Sequence, residues 1–185
     1  MTSELREVPA FTRIEATAGI RVVVRIGPAE AIEVSAQENL LPSIATDVGG
    51  DTLRIDARDD FTTVQPVTVT VVIPALDGIT LSGGSRAEVE GLKATSIQID
   101  IRGGASATFV GTADVVELTA DGGAVADLQD LSAAMIALSL SGGARATVNA
   151  SHAVTGSASG GSRLTLLGDA ELSVETSGAS EVERE

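Results

Sequence analysis

A pair of glycines recurs through the second half of the chain at nearly constant spacing, and this period limits the fold more than any other feature. The first glycine of each corner is Gly83, Gly103, Gly122, Gly142, Gly160 or Gly178, with spacings of 20, 19, 20, 18 and 18. Broken before each corner, the segments read SGGSRAEVEGLKATSIQIDI, RGGASATFVGTADVVELTA, DGGAVADLQDLSAAMIALSL, SGGARATVNASHAVTGSA, SGGSRLTLLGDAELSVET and SGASEVERE. A fixed period of this size signals a stacked array in which each unit buries its apolar face against its neighbours.

The pattern inside each unit chooses strand over helix. Ile97, Ile99 and Ile101 alternate with Gln98 and Asp100. Val116, Leu118 and Ala120 alternate with Glu117 and Thr119; Ile136, Leu138 and Leu140 alternate with Ala137 and Ser139. A period of two is that of a strand with one buried face. The alternation resumes after each glycine pair. One expected inward column is Ala87, Ala107, Ala126, Ala146, Leu164 and Val182, and the next is Val89, Phe109, Leu128, Val148 and Leu166. Pointing outward between them are Glu88, Thr108, Asp127, Thr147, Thr165 and Glu183. A turn column is then expected at Gly91, Gly111, Asp130, Ala150 and Gly168, residues that tolerate tight bends.

Two or three short strands per unit, joined by sharp corners and stacked about 4.8 Å apart, make an all-β parallel β-helix, or β-solenoid. Its expected hand is right, because parallel crossovers are nearly always right-handed. With three Phe and no Tyr or Trp, the core has to be aliphatic. Arg102 and Asp121 replace the serine that precedes most glycine corners and are expected to pair across adjacent turns. The small column Ser85, Ala105, Ala124, Ala144, Ser162 and Ser180 reads as close packing at the corner rather than a polar binding ladder.

Residues 10–81 are rich in strand signals but less periodic. Expected strands are Phe11–Thr17, Arg21–Ile26, Ala31–Ser35, Thr52–Ala57 and Val67–Ile73, punctuated by Gly27-Pro28, Gly49-Gly50, Pro74 and Asp77-Gly78. The segment Glu38–Thr46 reads as either a helical turn or a strand, with Pro42 against a long helix. This part is expected to continue or cap the solenoid of residues 82–185, the whole of 1–185 making one domain. At the other end Glu181, Glu183, Arg184 and Glu185 would discourage edge-to-edge stacking.

In order along the chain stand Phe-x-x-Ile at Phe11–Ile14, VVVRIG at Val22–Gly27, IEVSAQENLLPSI at Ile32–Ile44, LRIDA at Leu53–Ala57 and VTVTVVIPALDGITLSGGS at Val67–Ser85. The Ser-Gly-Gly and Ser-Gly-Ala corners follow. This succession resembles the bacterial family described as "putative auto-transporter adhesin, head GIN domain", a domain of unknown function. The resemblance implies a right-handed β-helix, usually on exported or lipid-anchored proteins, and brings no catalytic residues with it. It implies an extracytoplasmic place, in the periplasm or at the cell surface. Met1–Ala10 is polar and does not read as an export signal, so a cytoplasmic place is the alternative.

Charge and composition exclude several classes. The formal net charge is −14, with 26 acidic against 12 basic residues, a field that repels phosphate backbones and argues against nucleic acid. Without Cys there is no disulfide or thiolate chemistry. No apolar run reaches the ~20 residues of a spanning helix. The lone His152 has no evident partner for a triad or a metal cluster. Asp56, Asp59 and Asp60 form the densest acidic group, but a solvated loop is the simpler reading and the calcium nonapeptide is absent. Glu88, Asp127 and Glu183 share an outward column, as a polysaccharide-cleaving β-helix would require, yet no Tyr or Trp is present to form a sugar platform. The Thr108, Thr147, Thr165 row lacks the paired Thr-x-Thr ladder of an ice-binding solenoid. No catalytic, cofactor or metal residue is therefore assigned. The expected function is a non-catalytic envelope or adhesin-like module that binds an unidentified protein or glycan. A structural homo-oligomer and a carbohydrate-active enzyme are the alternatives.

Overall fold

The computed structural model describes residues 2–28, 30–58 and 66–185. Its strands are β1 (Thr2–Arg6), β2 (Arg13–Ala16), β3 (Arg21–Ile26), β4 (Ala31–Ala36), β5 (Ile44–Gly49), β6 (Thr52–Ala57), β7 (Thr68–Ile73), β8 (Gly78–Leu81), β9 (Arg86–Gly103), β10 (Ser106–Gly122), β11 (Val125–Leu140), β12 (Arg145–Ala158), β13 (Arg163–Leu167), β14 (Glu171–Thr176) and β15 (Glu181–Arg184). They form a β-solenoid. One face runs β1-β4-β7-β3, then the first parts of β9 to β12, then β13 and β15. The other runs β5-β6-β2-β8, then the later parts of β9 to β12, then β14. A shorter third side begins where Leu92–Ser96 of β9 pairs with Gly111–Val115 of β10.

Alternation and corner chemistry account for this path. The two inward columns are buried from Ala87 to Leu164 and from Val89 to Leu166, while Val182 on the last turn is only partly covered. They lie in register along the parallel pairs, Ala87 beside Ala107, Ala107 beside Ala126, and Ala126 beside Ala146. At three corners the residue after the turn donates back to the residue before it: Ser85 N–H to the Ser82 carbonyl at 3.1 Å, and Ala105 to Arg102 and Ala144 to Ser141 at 3.3 Å. The first glycine has φ between 60° and 72° in all six corners. That conformation defines the primed turns and is reached cheaply only by glycine. The small column beside the corners is buried from Ser85 to Ser162, as close packing requires. Ser85 hides its hydroxyl by donating to the carbonyls of Ser82 and Ala16, at 2.7 and 3.1 Å.

Three expectations are corrected. First, the units hold long strands that bend through the second corner without a break; β9 spans 18 residues. Second, the expected turn column is out of register. Gly111 pairs with Leu92 and Leu131, Val110 with Asp130, and Ala150 with Ala133, because a bulge at this corner slips each turn differently. Third, Arg102 does not bond Asp121. It turns to Asp100, two residues back on the same strand face, with bonds of 2.9 and 2.7 Å. Asp121 instead accepts from the Ser141 hydroxyl and the Gly122 N–H, both at 2.7 Å. The open choice at Glu38–Thr46 resolves into both forms, a 3-10 turn at Leu41–Ser43 followed by β5, and the polar amino terminus forms β1.

The first half of the chain both continues and caps the array. Strands β2, β3, β6, β7 and β8 stack in parallel and bury Ile14, Val22, Val24, Leu53, Ile55, Val69, Val71 and Ile79. Strands β4, β1 and β5 then pair antiparallel with the outermost turn. Arg6 locks this cap by donating to the carbonyls of Leu41 (2.8 Å) and Ile44 and to the Thr46 hydroxyl. One hydrophobic cluster extends from Phe11 to Ala170.

Candidate functional site

The face that carries β3 and the first parts of β9 to β13 differs from the rest of an acidic molecule. Its first outward column reads Arg21, Arg86, Ser106, Val125, Arg145, Arg163, Glu181, each residue beside the next. The second reads Val23, Glu88, Thr108, Asp127, Thr147, Thr165, Glu183. Such columns arise because alternate residues of a strand share a face and the register puts equivalents about 4.8 Å apart.

The ends of the arginine column are neutralised. Arg21 donates from Nη2 to both carboxylate oxygens of Glu88, at 2.7 and 2.8 Å, and Arg163 pairs with Glu181. The hydrogen bond to Glu181, and the charges of Glu181 and Glu183, raise the Arg163 pKa above its ordinary value. Arg25 pairs with Glu90 at 3.2 Å. The middle is different. Arg86 donates only to the Ser106 hydroxyl, at 3.2 Å, and Arg145 has no ion pair among the described residues. Val125, 38% exposed, stands beside Arg145, and Val110, 42% exposed, lies four residues further along β10 than Ser106. A depression of about 250 Å³ lined by Glu88, Val89, Glu90, Thr108 and Val110 lies next to these groups. Donor guanidinium groups, two-way hydroxyls, a carboxylate and two small apolar patches can together hold a polar partner.

The arginine column was not singled out from the sequence, although a signal was there. Arg86, Arg145 and Arg163 each stand two residues past the second glycine of a corner, and Arg21 stands two residues past Gly19. Gly19, with φ 70°, repeats the corner in the less periodic half.

The sequence-predicted candidates fare unevenly. Glu88, Asp127 and Glu183 do share one ladder. Glu88 and Asp127 are two rungs apart, about 10 Å, and Glu183 is three rungs further. Paired glycosidase carboxylates lie about 5–9.5 Å apart across a bound sugar. Here they project from a flat face, and Glu88 is held by Arg21. Thr147 and Thr165 are adjacent, but Asp127 separates them from Thr108. His152 is exposed within β12, at the bulged corner, with Nδ1 2.9 Å from the Ser151 hydroxyl. Asp56 accepts from Thr17 and from the Ala57 N–H, whereas Asp59 and Asp60 lie outside the described residues. Among the described residues no group of three His, Asp or Glu is placed to hold a metal. No described helix is long and apolar enough to cross a membrane.

The chain is similar in fold to several solved structures. A putative adhesin from Bacteroides fragilis superposes with a TM-score of 0.80 at 16% identity, covering 100% of this chain and 96% of the other. A putative adhesin from Parabacteroides distasonis gives 0.65 at 16% identity, with 100% and 96% covered. A putative lipid binding protein from the same species gives 0.60 at 12% identity, again with 100% and 96% covered. No curated protein matches the sequence. The family described as "Putative auto-transporter adhesin, head GIN domain" matches residues 10–170, nearly the whole solenoid with its cap, and the chain belongs to that family.

Proposed function

We propose that this chain is a non-catalytic binding module of the bacterial cell envelope, working outside the cytoplasm as one domain and holding a protein or glycan partner on the arginine-bearing face. The observation that carries this reading is the middle of that face. Arg145 stands beside the exposed Val125 on the neighbouring strand, Arg86 lies two strands away beyond Ser106, and neither arginine has a carboxylate partner among the described residues. The membership in a family described as adhesins supports it, as does the likeness to structures bearing the same description. The rigid hydrogen-bonded rungs keep the groups at fixed spacing, which lowers the ordering cost of binding.

The test compares the wild type with Arg145→Glu and Val125→Glu on a glycan array and against proteins of the cell surface. Saturable binding that both substitutions abolish, in variants with unchanged dichroism, is the expected result. Binding that survives both substitutions overturns the assignment of the face, and no saturable partner of either kind overturns the binding function. Fractionation of cells expressing the full native reading frame tests the location; a wholly cytoplasmic pool would contradict it.

A further inference from the structure

The cap contains a strand that is held almost entirely by replaceable bonds. Strand β1 pairs along its full length with β4, Thr2 beside Ala36 through Arg6 beside Ile32. Four of its five residues are exposed and Arg6 is only partly buried. Its inward side is Thr2, Glu4 and Arg6, so it buries no apolar side chain against the core. Its one large apolar residue, Leu5, points outward and is 76% exposed. Backbone bonds to β4, the Ser3–Ser35 hydroxyl bond and the Arg6 bonds to Leu41, Ile44 and Thr46 keep it in place.

The segment joining β1 to the body touches the core only through the partly buried Val8. A cavity of about 310 Å³ lies beneath it, lined by Arg6, Glu7, Val8, Phe11, Glu30 and Ile32. The body resumes at Phe11, which is 5% exposed, and at Thr12, whose N–H donates to the Asp51 carbonyl at 3.0 Å. The four residues from Glu7 to Ala10 span up to roughly 14 Å when extended.

We propose that β1 is an exchangeable strand and that its second occupant is a second copy of this chain: each molecule lends its β1 to the β4 edge of the other. The identical strand restores every bond that its departure breaks, including those of Arg6, so exchange leaves only the linker and the chain-association terms to decide the balance. The strand itself buries no apolar side chain, and the partly buried Val8 of the linker is the one apolar contact near it that opposes release. A short tether holds β1 near its own β4 at an effective concentration on the order of mM. The closed form therefore prevails in dilute solution, and exchange grows as the protein approaches that concentration or is crowded on one surface. This inference does not depend on the binding function proposed above.

Ser3 and Ser35 are cross-strand partners with hydroxyl oxygens 2.7 Å apart, and the chain has no other thiol to interfere. Single variants Ser3→Cys and Ser35→Cys are mixed in equal amounts, held reduced at a concentration on the order of mM, then oxidised and resolved by mass. Each variant lacks the intramolecular partner, so only a strand exchanged between copies places Cys at 3 against Cys at 35. A cross-linked product dominated by the heterodimer is expected. A heterodimer at or below the half share that random collision produces, or no cross-linked dimer, overturns the proposal.

Discussion

Gly142 has φ 68°, and a Cβ there would stand 3.0–3.2 Å from the backbone of Gly122 on the turn below. Gly104 is the second glycine of its corner, lacks a positive φ, and would meet nothing within 4 Å. The paired glycines are thus not equivalent. Gly142→Ala is expected to destabilise by about 1–3 kcal/mol. Gly104→Ala is expected to be neutral or to stabilise by up to about 1 kcal/mol through the unfolded chain. Urea titration of both variants measures the contrast. Asp121 gives a second residue-scale prediction. The Ser141 hydroxyl, the Gly122 N–H and, more weakly, Arg102 hold its carboxyl below the usual carboxylate range. A lowered folded pKa adds stability that is present above the unfolded value and is lost as pH falls through the folded one. Ser141→Ala removes the largest cause, so the Asp121 titration followed by carbon NMR should move up toward the ordinary value. An unmoved titration would show that the hydroxyl is not a donor to it.

Within each strand, the inward positions supply the stability and the outward ion pairs supply little. Leu138 is buried in the central column, paired with Leu118 and Gly156. Leu138→Asp places an unpaired charge there and is expected to cost several kcal/mol, enough to unfold the chain. Dichroism and thermal melting decide it, and near-wild-type stability would refute the inward assignment. The half-exposed Arg21–Glu88 pair, made through the single nitrogen Nη2, should show a coupling of only about 0.2–1 kcal/mol in a double-mutant cycle. The inward columns were legible in the sequence because period-two alternation and burial have the same cause. The second corner was not. Gly91, Gly111 and Gly168 promised a regular column, yet the bulges slip it by different amounts, since local sequence marks a bend without stating how many residues it absorbs.

Across the whole molecule, stability is expected to fall toward the carboxy-terminal turn. A solenoid holds together through contacts between neighbouring turns, and each end has a neighbour on one side only. β14 has no buried residue, and Leu172 is 38% exposed where its neighbour Val154 is fully covered. Amides of β14 and β15 should exchange with deuterium well before those of β10 and β11, while Arg6 keeps the carbonyls at the opposite end engaged. Uniform protection along the array would contradict this. By itself the sequence determined the solenoid, its glycine corners and which side of each strand faces in, because these follow from local periodicity and from backbone conformations that glycine reaches most cheaply. Only the tertiary structure decided that β1, β4 and β5 close one end antiparallel, that Arg102 pairs with Asp100, and that arginines from four different turns form one column beside threonines and carboxylates. Those outcomes depend on which strand lies beside which. Backbone hydrogen bonding is nearly the same for any two strands, so that choice is made by packing and register across the whole chain.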